Sequence, residues 1–225
     1  MPSYRLHCFA QSGNAYKVAL YLNCAALDWE PVFVDFMQGG QTREPSWRAA
    51  NNEMGEVPIL EAEGRRLSQS GAILTYLAEK TGKFAPKGPD ENYEALRWIL
   101  FDNHKFTGYF ATHRFMRSFM PAEPDPAVLA FLKSRWEAAA KVVEMHLLRR
   151  PFLLGKAPTI ADFSLAGYLF FGPEETGINL VKDYPNIYAW TERMTALPGW
   201  VGPYELMPGD RVAPLPVPRP IAQEA

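Results

Sequence analysis

The hydrophobic pattern of this 225-residue chain changes period once, and that change limits what it can build. Up to about residue 80, short runs rich in β-branched and aromatic residues alternate with segments of helical spacing; from Glu91 on, nearly every apolar run is helical. The chain therefore divides into an α/β unit at about 1–80 and an all-helical unit at about 91–207. The linker at 81–90, with Gly82, Pro86, Gly88 and Pro89, concentrates helix breakers without a periodic apolar pattern. The tail at 208–225 holds Pro208, Pro214, Pro216, Pro218 and Pro220, so neither a regular helix nor a central strand can persist there. An extended or mobile tail is expected.

In the first unit Tyr4 to Phe9 and Pro31 to Asp35 read as strands, and Val18, Ala19, Leu22 and Ala26 recur at helical spacing after the start signal Ser12-Gly13-Asn14. A strand-helix-strand unit of this length implies a right-handed parallel crossover. Val57 to Glu61 and Arg65 to Ser68 flank the turn Ala62-Glu63-Gly64, a hairpin pattern, and Gly71 to Lys80 is a helix closed by Gly82. In the second unit Val128, Leu132, Trp136, Ala139, Val143 and Leu147 keep one face of a long helix over 127–150. Thr159 and Asp162 stand at N-cap and N3 of a capping box that opens a buried helix over 163–171.

Composition and motif content remove several functions. With 23 Lys+Arg against 25 Asp+Glu and no basic run longer than two residues, the chain lacks the clustered positive charge that tracks a phosphate backbone, so no nucleic-acid partner is expected. The start has no basic region followed by an apolar stretch, and no segment approaches a membrane span, which reads as a cytoplasmic protein with no membrane partner. Cys8 and Cys24 match neither a disulfide framework nor a zinc spacing. His7, His104, His113 and His146 form no His-Glu-x-x-His pattern, so no metal is expected. Gly-rich phosphate loops and the Gly-x-Ser-x-Gly elbow are missing from the sequence.

What remains is a constellation in the first unit. Val57-Pro58 stands at the mouth of a strand; a cis bond there would turn the Val57 N–H and C=O outward to pair with an extended peptide, although most X-Pro bonds are trans. Gln69-Ser70 stands at a helix N-terminus, where free N–H groups favour a ligand carboxylate, or where Ser68 or Ser70 merely caps. Ser12-Gly13-Asn14 offers a hydroxyl and a second helix start, with capping again the alternative.

Four segments together carry a resemblance. Phe9-Ala-Gln-Ser-Gly-Asn-Ala-Tyr-Lys-Val18, Gly55-Glu-Val-Pro-Ile-Leu60, Ser68-Gln-Ser-Gly-Ala-Ile-Leu-Thr-Tyr-Leu77 and Ala157-Pro-Thr-Ile-Ala-Asp-Phe163 resemble, in this order and spacing, the cytosolic glutathione transferase family over essentially the whole chain. The resemblance implies a thioredoxin-like N-terminal domain, an all-helical C-terminal domain, usually a homodimer, and glutathione as co-substrate. Val57 would pair with its cysteinyl unit through a cis Pro58, while Gln69 and Ser70 would hold the γ-glutamyl end. Three positions depart from the family pattern: Glu53 replaces a proline, Glu56 stands where a residue that can contact glutathione is common, and Arg43 is the candidate for the glycyl carboxylate.

Enzymes of this family act by stabilising a thiolate, since the thiolate is the nucleophile. Lowering a thiol pKa by two units from ~8.5 takes roughly 2.7 kcal/mol of preferential stabilisation. Ser12 matches the serine of the family's bacterial opening, with Asn14 beside it; Cys8 reads otherwise as a small buried residue, and Tyr16 as packing. Phe101-Asp-Asn-His-Lys-Phe106 is similar to a Glu-x-His-Lys segment of the beta class, which would bring His104 and Lys105 into the active site and send Asp102 to the partner's. A solvated helix face is the alternative for Asp102 and Lys105. Phe101, Phe106 and Tyr109 are the candidates for the electrophile pocket. The function expected is transfer of glutathione to small hydrophobic electrophiles, with peroxidase or reductive variants. The alternatives are a non-enzymatic scaffold of the same fold and a thiol-disulfide reductase using Cys8.

Overall fold

In a computed structural model that describes residues 2–216, the first third of the chain forms a four-stranded sheet with order β2-β1-β3-β4. Strand β1 (Tyr4–Cys8) runs parallel to β2 (Trp29–Phe33) and antiparallel to β3 (Ile59–Ala62), which pairs with β4 (Arg65–Ser68) as a hairpin. Strand β2 begins two residues before its expected start and contains Pro31, which is tolerated because β2 is an edge strand and needs no second set of N–H donors. Helix α1 (Gly13–Cys24) joins the parallel pair, α2 (Pro45–Ala50) lies in the following loop, and α3 (Ser70–Thr81) closes the unit.

The helical unit starts at α4 (Gly88–Phe101), inside the expected linker. A five-residue π-helical turn, Asp102–Phe106, connects it to α5 (Thr107–Ser118), so these helices form one interrupted rod. Then follow α6 (Pro126–Leu147), α7 (Ile160–Ala166), α8 (Pro173–Thr176), α9 (Leu180–Asp183), α10 (Pro185–Thr195) and α11 (Pro203–Leu206). Helix α7 is shorter than the run over 163–171 suggests. The capping box forms as expected, with Asp162 Oδ2 accepting from the Thr159 N–H at 2.8 Å. On α6 the buried face is Leu132, Trp136, Ala139, Val143 and Leu147, whereas Val128, in the first turn, is 41% exposed. No helix among the described residues is long and apolar enough to cross a membrane.

One core runs through both units, and α1 is its axis: every residue from Ala15 to Leu22 is buried. Close approach of α1 to the helical unit depends on Gly13, where a Cβ would fall 2.4 Å from the Tyr168 ring. That approach lets Lys17, fully buried, place its Nζ 2.6 Å from Asp102 Oδ2 and 3.2 Å from Thr107 Oγ1. Asp102 also accepts from Ser164 Oγ at 2.7 Å and from Thr107 Oγ1. Burial pushes the Lys17 pKa down, and the Asp102 carboxylate pulls against it.

The C-terminal segment is extended and bonded. Pro208 C=O accepts from the Ala10 N–H at 2.8 Å, Asp210 C=O from Gln11 Nε2 at 2.7 Å, and the Leu215 N–H donates to Ser118 C=O at 2.8 Å. Pro218 and Pro220 lie outside the described residues.

Candidate functional site

Two adjoining cavities open where the sheet unit meets the α4–α5 rod. The smaller, about 250 Å³, is walled mainly by polar groups of Asn14, Glu56, Val57, Gln69, Ser70, Asn103, Thr107 and Thr112. The larger, about 420 Å³, is lined by Phe9, Phe36, Met37, Phe115, Phe119 and Tyr168, with Gln11, Ser12, Asn14 and Arg114 among them. Asn14, Glu56, Val57, Ala111 and Thr112 belong to both walls, so the two spaces meet at the start of α1.

The polar cavity is built from three backbone features. The Val57-Pro58 bond is cis, and Val57 N–H and C=O make no backbone hydrogen bond among the described residues, which leaves an unpaired edge beyond β3. Gln69 precedes α3 at φ +67°, a left-handed value that a non-glycine residue adopts at a cost, and such residues cluster at binding sites. Its amide Nε2 donates to Glu56 Oε2 at 3.0 Å and approaches Met54 Sδ at 3.3 Å. Ser70 is the first residue of α3 rather than its cap; the residue is mostly buried, and its hydroxyl makes no hydrogen bond among the described residues and opens on the cavity. That hydroxyl and the free N–H groups of the first turn of α3 together suit a carboxylate. Glu56 is the single ionisable side chain in this cavity's lining among the described residues.

At the apolar cavity, Ser12 is both cap and wall. Its Oγ accepts from the Ala15 N–H at 3.1 Å, and the residue remains only 6% exposed on the cavity. A serine hydroxyl has one donor besides its lone pairs, so capping leaves the hydrogen free to reach an anion. Tyr168 lies under Gly13; burial pushes its phenol pKa up, opposed by the Arg114 charge and by the N–H groups at the start of α1. The Arg114 guanidinium is buried against the Phe171 ring at 3.8 Å. It donates to Gln11 C=O at 2.8 Å and to the fully buried Glu175, which also accepts from Tyr204 Oη at 2.7 Å.

Several expected residues lie elsewhere. Asp102 is neither offered to a partner nor solvated: it is fully buried and bound to Lys17, because the π turn rotates it toward α1. The same turn leaves His104 exposed and Lys105 half-buried, and neither lines either of these two cavities; Asn103 and Thr107 occupy that wall instead. Phe101 packs edge-on against Trp98, Phe106 is buried against Trp136, and Tyr109 meets Phe131, so none of them shapes the apolar cavity. Arg43 is exposed in the 3₁₀ turn Gln41–Arg43, outside both linings. Cys8 faces the core with no exposure, and burial pushes its thiol up to about 12, which removes it as a nucleophile. Tyr16 is buried with its hydroxyl on Val201 C=O at 2.8 Å, a packing role. Among the described residues no three His, Cys, Asp or Glu gather closely enough to hold a metal ion.

Asn103, Thr107, Thr112, Phe36, Phe119, Tyr168 and Arg114 are among the wall residues that sequence reasoning missed. Asn103 carried the one usable signal, since it falls inside the Phe101–Phe106 segment; the others are single residues with no motif of their own.

Comparison with known proteins is consistent across both units. The family model "Glutathione S-transferase, N-terminal domain" matches residues 3–79, and "Glutathione S-transferase, C-terminal domain" matches residues 109–198. The chain is 28% identical over 208 residues to glutathione S-transferase F14 of Arabidopsis thaliana, an alignment covering 88% of this chain and 81% of that protein. It is also 28% identical over 195 residues to the disulfide-bond oxidoreductase YfcG of Escherichia coli, covering 84% and 89% respectively. A crystal structure of a glutathione S-transferase from Pseudomonas fluorescens superposes with a TM-score of 0.80 at 33% identity, covering 89% of this chain and 98% of that one.

Proposed function

Since this chain belongs to the glutathione S-transferase family, we propose that it binds glutathione in the polar cavity and transfers its thiolate to a hydrophobic electrophile held in the apolar one. The observation that carries this reading is the meeting of the two cavities at Asn14, on the N-terminus of α1, with Ser12 in the apolar wall beside it. A peptide laid along the unpaired Val57 edge, with its γ-glutamyl carboxylate at Ser70 and Gln69, brings its thiol to that junction. There the Ser12 hydroxyl and the positive end of α1 favour thiolate over thiol, and the Asn14 amide adds a donor. The sulfur then forms a bond to an electrophilic carbon while the leaving group departs with its electron pair, or an addition product takes a proton from water.

Among the described residues the polar cavity's lining supplies no cation for glutathione's second carboxylate, and Glu56 opposes it, so affinity rests on Ser70, Gln69 and Val57. Ser70→Ala is expected to raise KM for glutathione about tenfold or more with kcat within about twofold, because contacts to the γ-glutamyl end are alike in ground and transition states. Steady-state kinetics on the folded variant decides this, and an unchanged KM removes Ser70 from the site.

Similarity to YfcG favours a second reading, glutathione-dependent disulfide reduction, in which two glutathiones reduce one disulfide to two thiols and leave as glutathione disulfide. With Cys8 buried, that chemistry runs on the glutathione thiol and not on a protein cysteine. Turnover of glutathione with a panel of halides, epoxides, hydroperoxides and disulfides separates the readings; binding without turnover of any of them favours a scaffold. Exposed apolar side chains on α4 (Tyr93, Leu96, Leu100) and α6 (Phe131, Val142, Met145) support a homodimer. Cys8 and Cys24 are free cysteines, which suits the cytoplasm.

A further inference from the structure

The apolar cavity at Ser12 has a neighbour across its aromatic wall. A further cavity of about 300 Å³ shares Phe9, Gln11, Phe36 and Met37 with it. Its remaining walls are the end of β2 with the residues that follow, and the C-terminal segment at Gly209, Asp210 and Val212. That segment is a built wall. Besides the backbone bonds to Ala10, Gln11 and Ser118, Arg211 pairs with Glu174 and, at 3.1 Å, with Glu175, and lies over the Tyr204 ring. Gly209, at φ +101°, lets the strap lie flat on Phe33: a Cβ there would fall 2.7 Å from the ring. Phe9 and Phe36, the rings common to both cavities, stack at 4.8 Å with their planes 4° apart, so one ordered aromatic pair borders both spaces.

We propose that the strap-walled cavity is the distal half of the electrophile site, so that the protein takes elongated, flat apolar electrophiles about two rings long. The inference rests on the glutathione-transfer reading. The reactive carbon lies near Ser12, the first ring among Phe115, Phe119 and Tyr168, and the second between Phe36 and the strap. An apolar cavity of about 150 Å³ already holds benzene, so the distal space accepts a substituted ring. Its polar rim is Asp35, Gln38 and Asp210, without a lysine or arginine in the lining among the described residues, and the neighbouring Arg211 is neutralised by its two glutamates. The far ring is therefore neutral or cationic, not anionic.

Binding of unreactive S-conjugates tests this without relying on turnover. By titration calorimetry, S-(4-phenylbenzyl)glutathione should bind about tenfold more tightly than S-benzylglutathione, since it buries one more ring. Val212→Trp, which fills the distal space from a half-exposed position, should abolish that difference while leaving S-benzylglutathione within about twofold. A carboxylate on the far ring should weaken binding severalfold. Equal affinity for the two conjugates, or a length preference that survives Val212→Trp, overturns the inference while the glutathione reading stands. Failure of both conjugates to bind removes the glutathione reading and this inference with it, and a far-ring carboxylate that binds as well as the bare ring removes the charge selection.

Discussion

Asp102→Ala is expected to destabilise the fold by about 3–5 kcal/mol, because it leaves the Lys17 ammonium buried without its counter-charge. Against a total stability of about 5–15 kcal/mol, such a loss leaves the protein barely folded at ambient temperature. The Lys17–Asp102 pair is fully buried, and Thr107 and Ser164 satisfy the carboxylate's other lone pairs, so its removal strands two hydroxyl donors as well as the Lys17 charge. Lys17→Met in the Asp102→Ala background should recover a large part of the loss, since it removes the stranded charge and keeps the volume. Urea denaturation of the two variants beside the unsubstituted protein measures both effects. A cost below about 1 kcal/mol for Asp102→Ala would mean that water reaches the pair, contrary to its packing. The two residues come from α1 and from the π turn after α4, so the pair also fixes how the sheet unit sits on the rod that walls both cavities.

How much of this was legible in the sequence follows from the range of each interaction. The Ser12 start of α1, the hairpin around Gly64 and the Thr159–Asp162 box are local patterns, and the structure forms all of them. The resemblance to a known family supplied the cis geometry at Pro58, which Val57-Pro58 alone left open. Side-chain direction on the α4–α5 rod was not legible. Reading that rod at 100° per residue assumes an unbroken α-helix, and the π turn at Asp102–Phe106 inserts an extra residue that shifts the phase. Asp102 thereby enters the core, and Asn103 takes the wall expected for His104 and Lys105. The aromatic wall of the large cavity was illegible for another reason: Phe9, Phe36 and Phe119 meet only through tertiary packing, while Phe101, Phe106 and Tyr109, denser in sequence, are taken up by Trp98, Trp136 and Phe131. The tail reads as extended from its prolines, but its bonds to Ala10, Gln11 and Ser118 lie more than ninety residues away in sequence.

Ser12→Ala carries the largest expected effect on function. Loss of the hydroxyl donor should raise the pH midpoint of activity by about one to two units, a ten- to hundredfold loss of rate near neutral pH, with glutathione affinity within a few-fold. The sign follows from the charge: a donor aimed at sulfur favours the thiolate, so removing it moves ionisation to higher pH. Ser12 also caps α1, and its loss should cost about 1 kcal/mol of stability, so the comparison includes Ser12→Thr, which keeps both the cap and the donor. His104→Ala should leave the profile unchanged, because His104 is exposed and lines neither cavity. A profile moved by His104→Ala and not by Ser12→Ala would reverse the assignment.

The central claim, that this site holds glutathione as a thiolate at the start of α1, is tested most directly by the ultraviolet absorbance of the thiolate as pH is titrated with glutathione bound. The unsubstituted protein should show a midpoint about one to two units below the ~8.5 of a free thiol, and Ser12→Ala should return it toward that value. Glutathione that binds with the midpoint of the free thiol in both proteins would contradict the claim.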